Sequence, residues 1–524
     1  MMKYVFLIIF LLVLNLFGAE KATAWEVNGR LDMYVQSIDV QGGTSSDREG
    51  STHNEEVNLN FFGPLFDGEA GVQSRFRTTN DKRIQKDGAE LLYLRSYFKN
   101  KLWELEVGDV AAPFNPYIFG GSVKGLKAVY KSSEKANTWN YAFISGFKKS
   151  AWRQTYTSES GEEPTGYAGA FEAKYIHESA KEIALSVALY KDDLSTGDTN
   201  TTLLGKKGFG IGLDGKWRFN KYITLSGRGA ITRGSDDLEN DKDSQTSNAV
   251  LIKLLTRPIL TSLRSDFTYQ RVDSDFISFG GSANSDKEQI ENSTTWTINK
   301  EFRARVDLKA NWDNLNGALE DTQYLYYEAI ALTYTPEFLK RGDINFRFAN
   351  KDVDGRGAKN NTRTAGIDIN MRDSSGWRYG GGYDYNDFDD TILASASQKT
   401  HTLRALLGYK ASLGEEKSYR FTIRPDYQLI ENAQDKIGLK IDAGYTHDKR
   451  LSADFIYMIN QTDYEANDNN TQNSTYQFVS TYKLDAKGQN LLRLLLEKRD
   501  VDVENTPNNS YNEYIGKVSL VMNF

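Results

Sequence analysis

The chain has 524 residues, 64 basic against 71 acidic, a pI near 5.5 and no cysteine. Without cysteine there can be no thiolate metal site, covalently attached haem or cysteine nucleophile, and an acidic chain with no basic cluster offers nucleic acid no electrostatic foothold. Mean hydropathy is −0.57, and beyond the first two dozen residues no apolar run approaches the length of about 18 that a spanning helix needs, which excludes a helical membrane protein.

Residues 1–24 read as an export signal. Lys3 carries the positive charge, Tyr4 to Phe17 form an apolar run broken by Asn15, and Ala22-Thr23-Ala24 is a small-x-small cleavage site. Cleavage there makes Trp25 the mature N-terminus and leaves a formal charge of −8.

From Trp25 to Phe524 apolar and polar residues alternate in stretches of about 9 to 14, a period of two that places successive side chains on opposite faces of a strand. Phe302, Ala304, Val306, Leu308, Ala310 and Trp312 share one face; Arg303, Arg305, Asp307, Lys309 and Asn311 share the other. A helix would smear these sets around its axis. The same separation occurs in Trp25, Val27, Leu31, Met33 and Val35, in Phe209, Ile211, Leu213 and Trp217, in Ala365 to Met371, and in Ile437 to Tyr445. The connections alternate short and long along the whole length: 12 short turns (among them Asn100-Lys101, Asn220-Lys221 and Ser374 to Gly376) and 13 longer ones (among them Lys148 to Thr165 and Gly234 to Ser247). The expected fold is all-β: a single large transmembrane antiparallel up-and-down β-barrel of about 26 strands, with a range of roughly 24 to 28 because such boundaries are soft. Both termini then lie in the periplasm.

The last strand alternates Tyr514, Gly516, Val518, Leu520, Met522 and Phe524. It resembles the C-terminal signature of Gram-negative outer-membrane β-barrel proteins, in which Leu520, Met522 and Phe524 would be the barrel-assembly signal. The resemblance implies a porin-like protein of the cell outer membrane, in contact with outer-membrane lipid, lipopolysaccharide and the barrel-assembly machinery.

A barrel of 26 strands is roughly 50 Å across between backbones, too wide for side chains to fill. Infolded loops, a plug from the same chain or a lumen protein must narrow it. Alternation begins at once after Trp25, which leaves no room there for a domain like the plug of siderophore receptors, and no connection reaches 20 residues. One loop is unlike the others. Ala111 to Gly121 is apolar and aromatic and holds two of the eight prolines, whereas the other outer connections are rich in Asp, Asn, Ser and Gly. Pro113, Phe114, Pro116, Tyr117 and Phe119 are therefore candidates for a constriction or a partner contact, or for packing on neighbouring loops at the rim. Nearby Gly108-Asp109 and Gly125 loosely resemble positions in fimbrial ushers. Val250-Leu251-Ile252 and Leu491 to Leu496 are apolar on both faces, fitting either a protein in the lumen or packing beneath an infolded loop.

Arg303, Arg305, Asp307, Lys309, Lys216 and Arg218 are candidate lumen-facing charges, with Arg75, Arg77 and Asp214 beside them; mixed in sign, they name no solute. His53 and His401 fall toward the outer rim, His177 and His447 toward the periplasmic end, and no HExxH, GxSxG or P-loop pattern accompanies them. Asp236, Asp237, Glu239, Asp241 and Asp243 form an acidic outer loop without the glycine of an EF-hand, as a solvated loop would. The expectation is a passive channel with no catalytic residues, metal or cofactor. The alternatives are a sheath around a partner, resembling the barrels that enclose multihaem cytochromes, and a surface adhesin or receptor acting through the outer loops.

Overall fold

The computed structural model describes residues 25–524 apart from 44–48, 83, 85–87, 112–113, 133–136, 149–151, 153–164, 179, 195–204, 239–242, 258–261, 279–284, 318, 340, 415 and 466–469. The export signal therefore lies outside the described residues.

Twenty-six strands follow one another: β1 (Glu26–Gly42), β2 (Gly50–Leu65), β3 (Gly68–Thr79), β4 (Ala89–Lys99), β5 (Trp103–Ala111), β6 (Ser122–Lys131), β7 (Asn137–Lys148), β8 (Thr165–His177) and β9 (Lys181–Asp193). Next come β10 (Lys207–Arg218), β11 (Ile223–Ser235), β12 (Gln245–Thr256), β13 (Leu263–Val272), β14 (Lys287–Thr297), β15 (Phe302–Trp312), β16 (Tyr324–Tyr334), β17 (Asp343–Gly355) and β18 (Ala358–Arg372). The circuit ends with β19 (Trp377–Asp390), β20 (Gln398–Leu413), β21 (Lys417–Ile430), β22 (Gln434–His447), β23 (Leu451–Tyr464), β24 (Thr471–Lys483), β25 (Leu491–Val503) and β26 (Tyr511–Asn523). Each pairs antiparallel with its neighbours in sequence, and β26 pairs with β1 from Arg30↔Asn523 to Gly42↔Tyr511. The sheet is closed and has no edge.

Strand β9 shows why the alternation builds this wall. Ile183, Leu185, Val187 and Leu189 are exposed on the outside, while Ala184, Ser186 and Ala188 between them face inward and are buried. A barrel immersed in lipid requires that exposure: the outer face is apolar because its solvent is hydrocarbon. Aromatic residues ring the end carrying the termini, with Trp25 stacked on Phe61, Phe302 on Tyr334 and Trp377 against Tyr409. Rings at that level match a membrane–water interface.

Two sequence expectations need correction. The strands run from 9 to 17 residues, longer than alternation alone suggests, because polar residues extend β1, β2 and β20 beyond the lipid. Long and short connections also do not alternate throughout. The outer connection between β17 and β18 is only Arg356-Gly357, both at positive φ, the backbone of a two-residue hairpin turn. Between β21 and β22 only residues 431–433 intervene. The long outer connections belong mainly to the first half of the chain.

The seam depends on a glycine. Gly29 and Phe524 exchange both backbone hydrogen bonds, at 2.7 and 3.0 Å, and the Phe524 ring lies over the space that a Cβ at position 29 would occupy. A Gly29→Val variant should therefore lose about 1–3 kcal/mol of stability to overpacking, seen as a lower temperature for loss of the compact, heat-modifiable band on gels. Gly516→Ala, whose methyl meets open space, should leave that temperature unchanged.

Candidate functional site: a loop folded into the barrel

The connection between β5 and β6 turns into the lumen and lies against the inner wall. Phe114, Asn115, Tyr117, Ile118 and Phe119 are all at most 5% exposed. Asn115 starts a single helical turn: its side-chain carbonyl accepts from the Tyr117 N–H, and its backbone carbonyl accepts from Ile118 and Phe119. Pro113 lies outside the described residues.

The wall beneath is cut to receive this turn. Inward positions on β8 to β12 carry Ala168, Ala170, Ala188, Gly210, Gly212, Ala230 and Ala249, while the outward face of the same strands carries Tyr167, Phe171, Leu189, Ile211 and Ile231. A Cβ at Gly210 would strike Ile118, and one at Gly212 would strike Asn115. The Asn115 amide donates to the Gly229 carbonyl at 3.0 Å, and Gln270 on β13 donates to the Tyr117 hydroxyl at 3.1 Å. Phe114 meets Phe119 edge-on at 5.6 Å, and Tyr117 meets Phe276 at 6.0 Å. Ile144 on β7 and Val272 on β13 close the two sides. Apolar groups that would otherwise meet water are thus sealed against the barrel.

Below the loop is a recess of about 290 Å³, roofed by Phe114 and Leu251 and floored by charge. Lys174 reaches Glu182 at 2.7 Å and Lys216 reaches the same carboxylate at 3.6 Å; Arg228 pairs with Asp214 at 2.6 Å. Glu172 accepts from the Ser186 hydroxyl, and Lys253 completes the lining. Leu251 accounts for part of the doubly apolar stretch on β12, since it packs against the loop's apolar cluster.

The remaining sequence candidates lie elsewhere. Arg303, Arg305, Asp307 and Lys309 face the lumen on β15, with Arg305 paired to Asp307 at 2.8 Å and Lys309 to Glu291 at 2.8 Å. Lys216 sits in the recess, and Arg218 ends β10 two residues beyond it. Arg75 and Arg77 share Glu56. Leu520 and Met522 lie on β26, with Met522 and Phe524 exposed on the outer face. His401 contacts Tyr383 at 2.8 Å and Glu431 at 3.1 Å at the outer rim. No group of metal-ligating side chains is found among the described residues. Glu239 and Asp241 lie outside them.

The sequence reading missed the small-residue trough. Its signal was present in Gly208-Phe209-Gly210-Ile211-Gly212 and in Ala168 and Ala170: an inward face stripped of bulk where charge or amide would be ordinary.

A closed meander with an apolar outer belt, an aromatic girdle and a polar interior is a transmembrane β-barrel of the outer-membrane kind. No protein-family model matches the chain, and neither does any curated protein sequence. Among solved structures it is similar to the siderophore receptor PirA from Pseudomonas aeruginosa (10% identity, 95% of this chain and 80% of that one, TM-score 0.38). It is also similar to the translocation pore of the P pilus usher PapC (9%, 94% and 99%, 0.40) and to an anion-selective porin from Comamonas acidovorans (14%, 55% and 89%, 0.30).

Ile118 is the anchor. Truncation to alanine should weaken docking of the loop by about 2–5 kcal/mol. The expected result is new protease cleavage between residues 111 and 121 in a barrel that otherwise keeps its heat-modifiable mobility.

Proposed function

We propose that this chain is a porin-like outer-membrane channel for passive transport, with the Ala111–Gly121 loop as the element that narrows its bore. The observation that carries the reading is the built seat of that loop, an apolar turn locked into a glycine- and alanine-lined trough above a charged recess. Away from the trough the inner wall is polar and largely ion-paired, as a surface facing water should be. The large aromatic residues of β10 and β15 alternate outward, so a sugar-stacking track along the bore has no support there. The channel has no chemistry of its own, and its solutes move down their gradients.

One observation favours a second reading, a sheath around a protein partner. On the arc from β17 to β23 ion pairs reach across glycines. Arg347 and Arg404 both bind Asp368 and Asp384 over Gly366 and Gly382, and Arg420 reaches Asp454 over Gly444 at 2.7 Å. These side chains lie flat, so the bore on that side is wide and smooth, as an enclosed protein would need.

The purified barrel should conduct in planar lipid bilayers, and deleting Pro113 to Phe119 should raise its single-channel conductance. An unchanged value would remove the loop as the constriction. Isolation in mild detergent decides between the readings: the barrel alone supports the channel, whereas a stoichiometric companion, coloured if it carries haem, supports the sheath.

A further inference from the structure

The inner wall at the periplasmic end of β18 to β22 holds a second recess, of about 580 Å³, far around the circuit from the loop. Six cations line it, Arg341, Arg372, Arg378, Lys410, Arg420 and Arg424, against two carboxylates, Asp373 and Asp442. Arg420 is paired with Asp454, and Arg424 with Asp442 at 3.3 Å. Arg341, Arg372, Arg378 and Lys410 have no carboxylate within ion-pair distance among the described residues. Asp373 makes no ion pair with them, and its single charge leaves the recess strongly positive. The Ser375 hydroxyl, together with the N–H groups of Ser375 and Trp377, takes up its oxygen and holds its carboxyl below the usual carboxylate range.

The strand register sharpens the imbalance. Arg372 stands directly opposite Arg378 on the β18–β19 ladder, and Lys410 directly opposite Arg420 on the β20–β21 ladder. Like charges facing each other across a strand pair destabilise a sheet. Farther up this wall Asp is placed beside Arg instead, as in the network of Arg347, Arg404, Asp368 and Asp384. A recess on β13 to β15 with Arg264, Arg303 and Arg305 follows the same rule, since Asp266 and Asp307 pair two of its three guanidiniums. In the β18–β22 recess the uncompensated cations are gathered together, and the hydroxyls of Ser374, Ser412 and Thr422 stand among them. The corner is fixed by Gly376 at φ +99°, where a Cβ would collide with the Lys410 carbonyl and push the β18–β19 turn away from β20.

We infer that this recess is a binding site for a small polyanion bearing phosphate or carboxylate groups, entered from the periplasmic mouth of the lumen. Guanidinium forks and hydroxyl donors are the groups that recognise such oxyanions, and a bound anion supplies the counter-charge that Arg341, Arg372, Arg378 and Lys410 lack. The inference rests on the channel reading for its meaning, because it names the class of solute that the bore would favour.

The test is calorimetric titration of the full-length, detergent-solubilised barrel with inorganic pyrophosphate, and separately with citrate, at constant ionic strength. Saturable binding is expected, at least tenfold weaker in an Arg372→Gln/Arg378→Gln double variant and unchanged in Arg30→Gln, whose guanidinium is paired with Asp32 on β1. Tighter binding of pyrophosphate assigns phosphate, and tighter binding of citrate assigns carboxylate. With the facing charges relieved and no anion present, the double variant should also unfold at a higher temperature than the parent. Absence of saturable binding to either anion, or equal binding by parent and double variant, overturns the site. Calorimetry needs no current, so a barrel that binds pyrophosphate yet fails to conduct keeps the recess and overturns only the channel.

Discussion

Backbone amides in hydrocarbon have no water to bind, and this requirement governs everything else in the molecule. A meander meets it only by closing, and closure here falls to β1 and β26, whose thirteen-pair register ends at the Gly29–Phe524 exchange. Once the sheet is closed, its circumference follows from the number of strands, and with it the bore. The alternation that satisfies lipid outside leaves every second residue facing inward, so the interior is settled by the same period of two. Ile183, Leu185, Val187 and Leu189 answer to the membrane; Ala184, Ser186 and Ala188 answer to whatever fills the space within.

What fills part of that space is the protein's own loop, and the consequence is an inverted globular architecture. The apolar cluster among the described residues does not lie between two layers of secondary structure. It consists of Phe114, Tyr117, Ile118 and Phe119 pressed on the inner faces of β7 to β13. Burial of those side chains against small wall residues gives the loop one resting place, because Gly210 and Gly212 leave room for Ile118 and Asn115 and for nothing bulkier on the wall side. Stability of the cylinder and placement of the loop are thus separable: ladder hydrogen bonds supply the first, a small hydrophobic seat the second.

The legible part of the sequence was whatever depended on local period. The strand faces of β15, the short periplasmic turns, the terminal strand and the odd composition of residues 111–121 can all be read without coordinates, because each is a contrast between neighbours a few residues apart. Tight outer turns such as Arg356-Gly357 break the expected long/short alternation, because two residues at positive φ suffice to reverse the chain there. The seat of the loop was not legible. It joins positions on five strands spread over more than eighty residues, Ala168 to Ala249, and only closure of the barrel sets them side by side. The same holds for Gly366 and Gly382, which look like weak points in their strands until Arg347, Asp384, Asp368 and Arg404 are seen to reach across them.

The two inward features also divide the bore between them. The loop and its recess occupy the β7–β13 side, while the unbalanced cations of Arg372, Arg378 and Lys410 occupy the β18–β22 side nearer the periplasm. In the proposed channel, a solute would therefore meet an apolar face with a nearly balanced floor on one wall and a positive face on the other. Charges at a wide, wet mouth act over about a Debye length, some 8 Å at physiological salt, which is small beside a bore of this size. The cations on β18 to β22 can bias only those solutes that pass close to their wall, and a loop docked on the opposite wall is the element that would send them there.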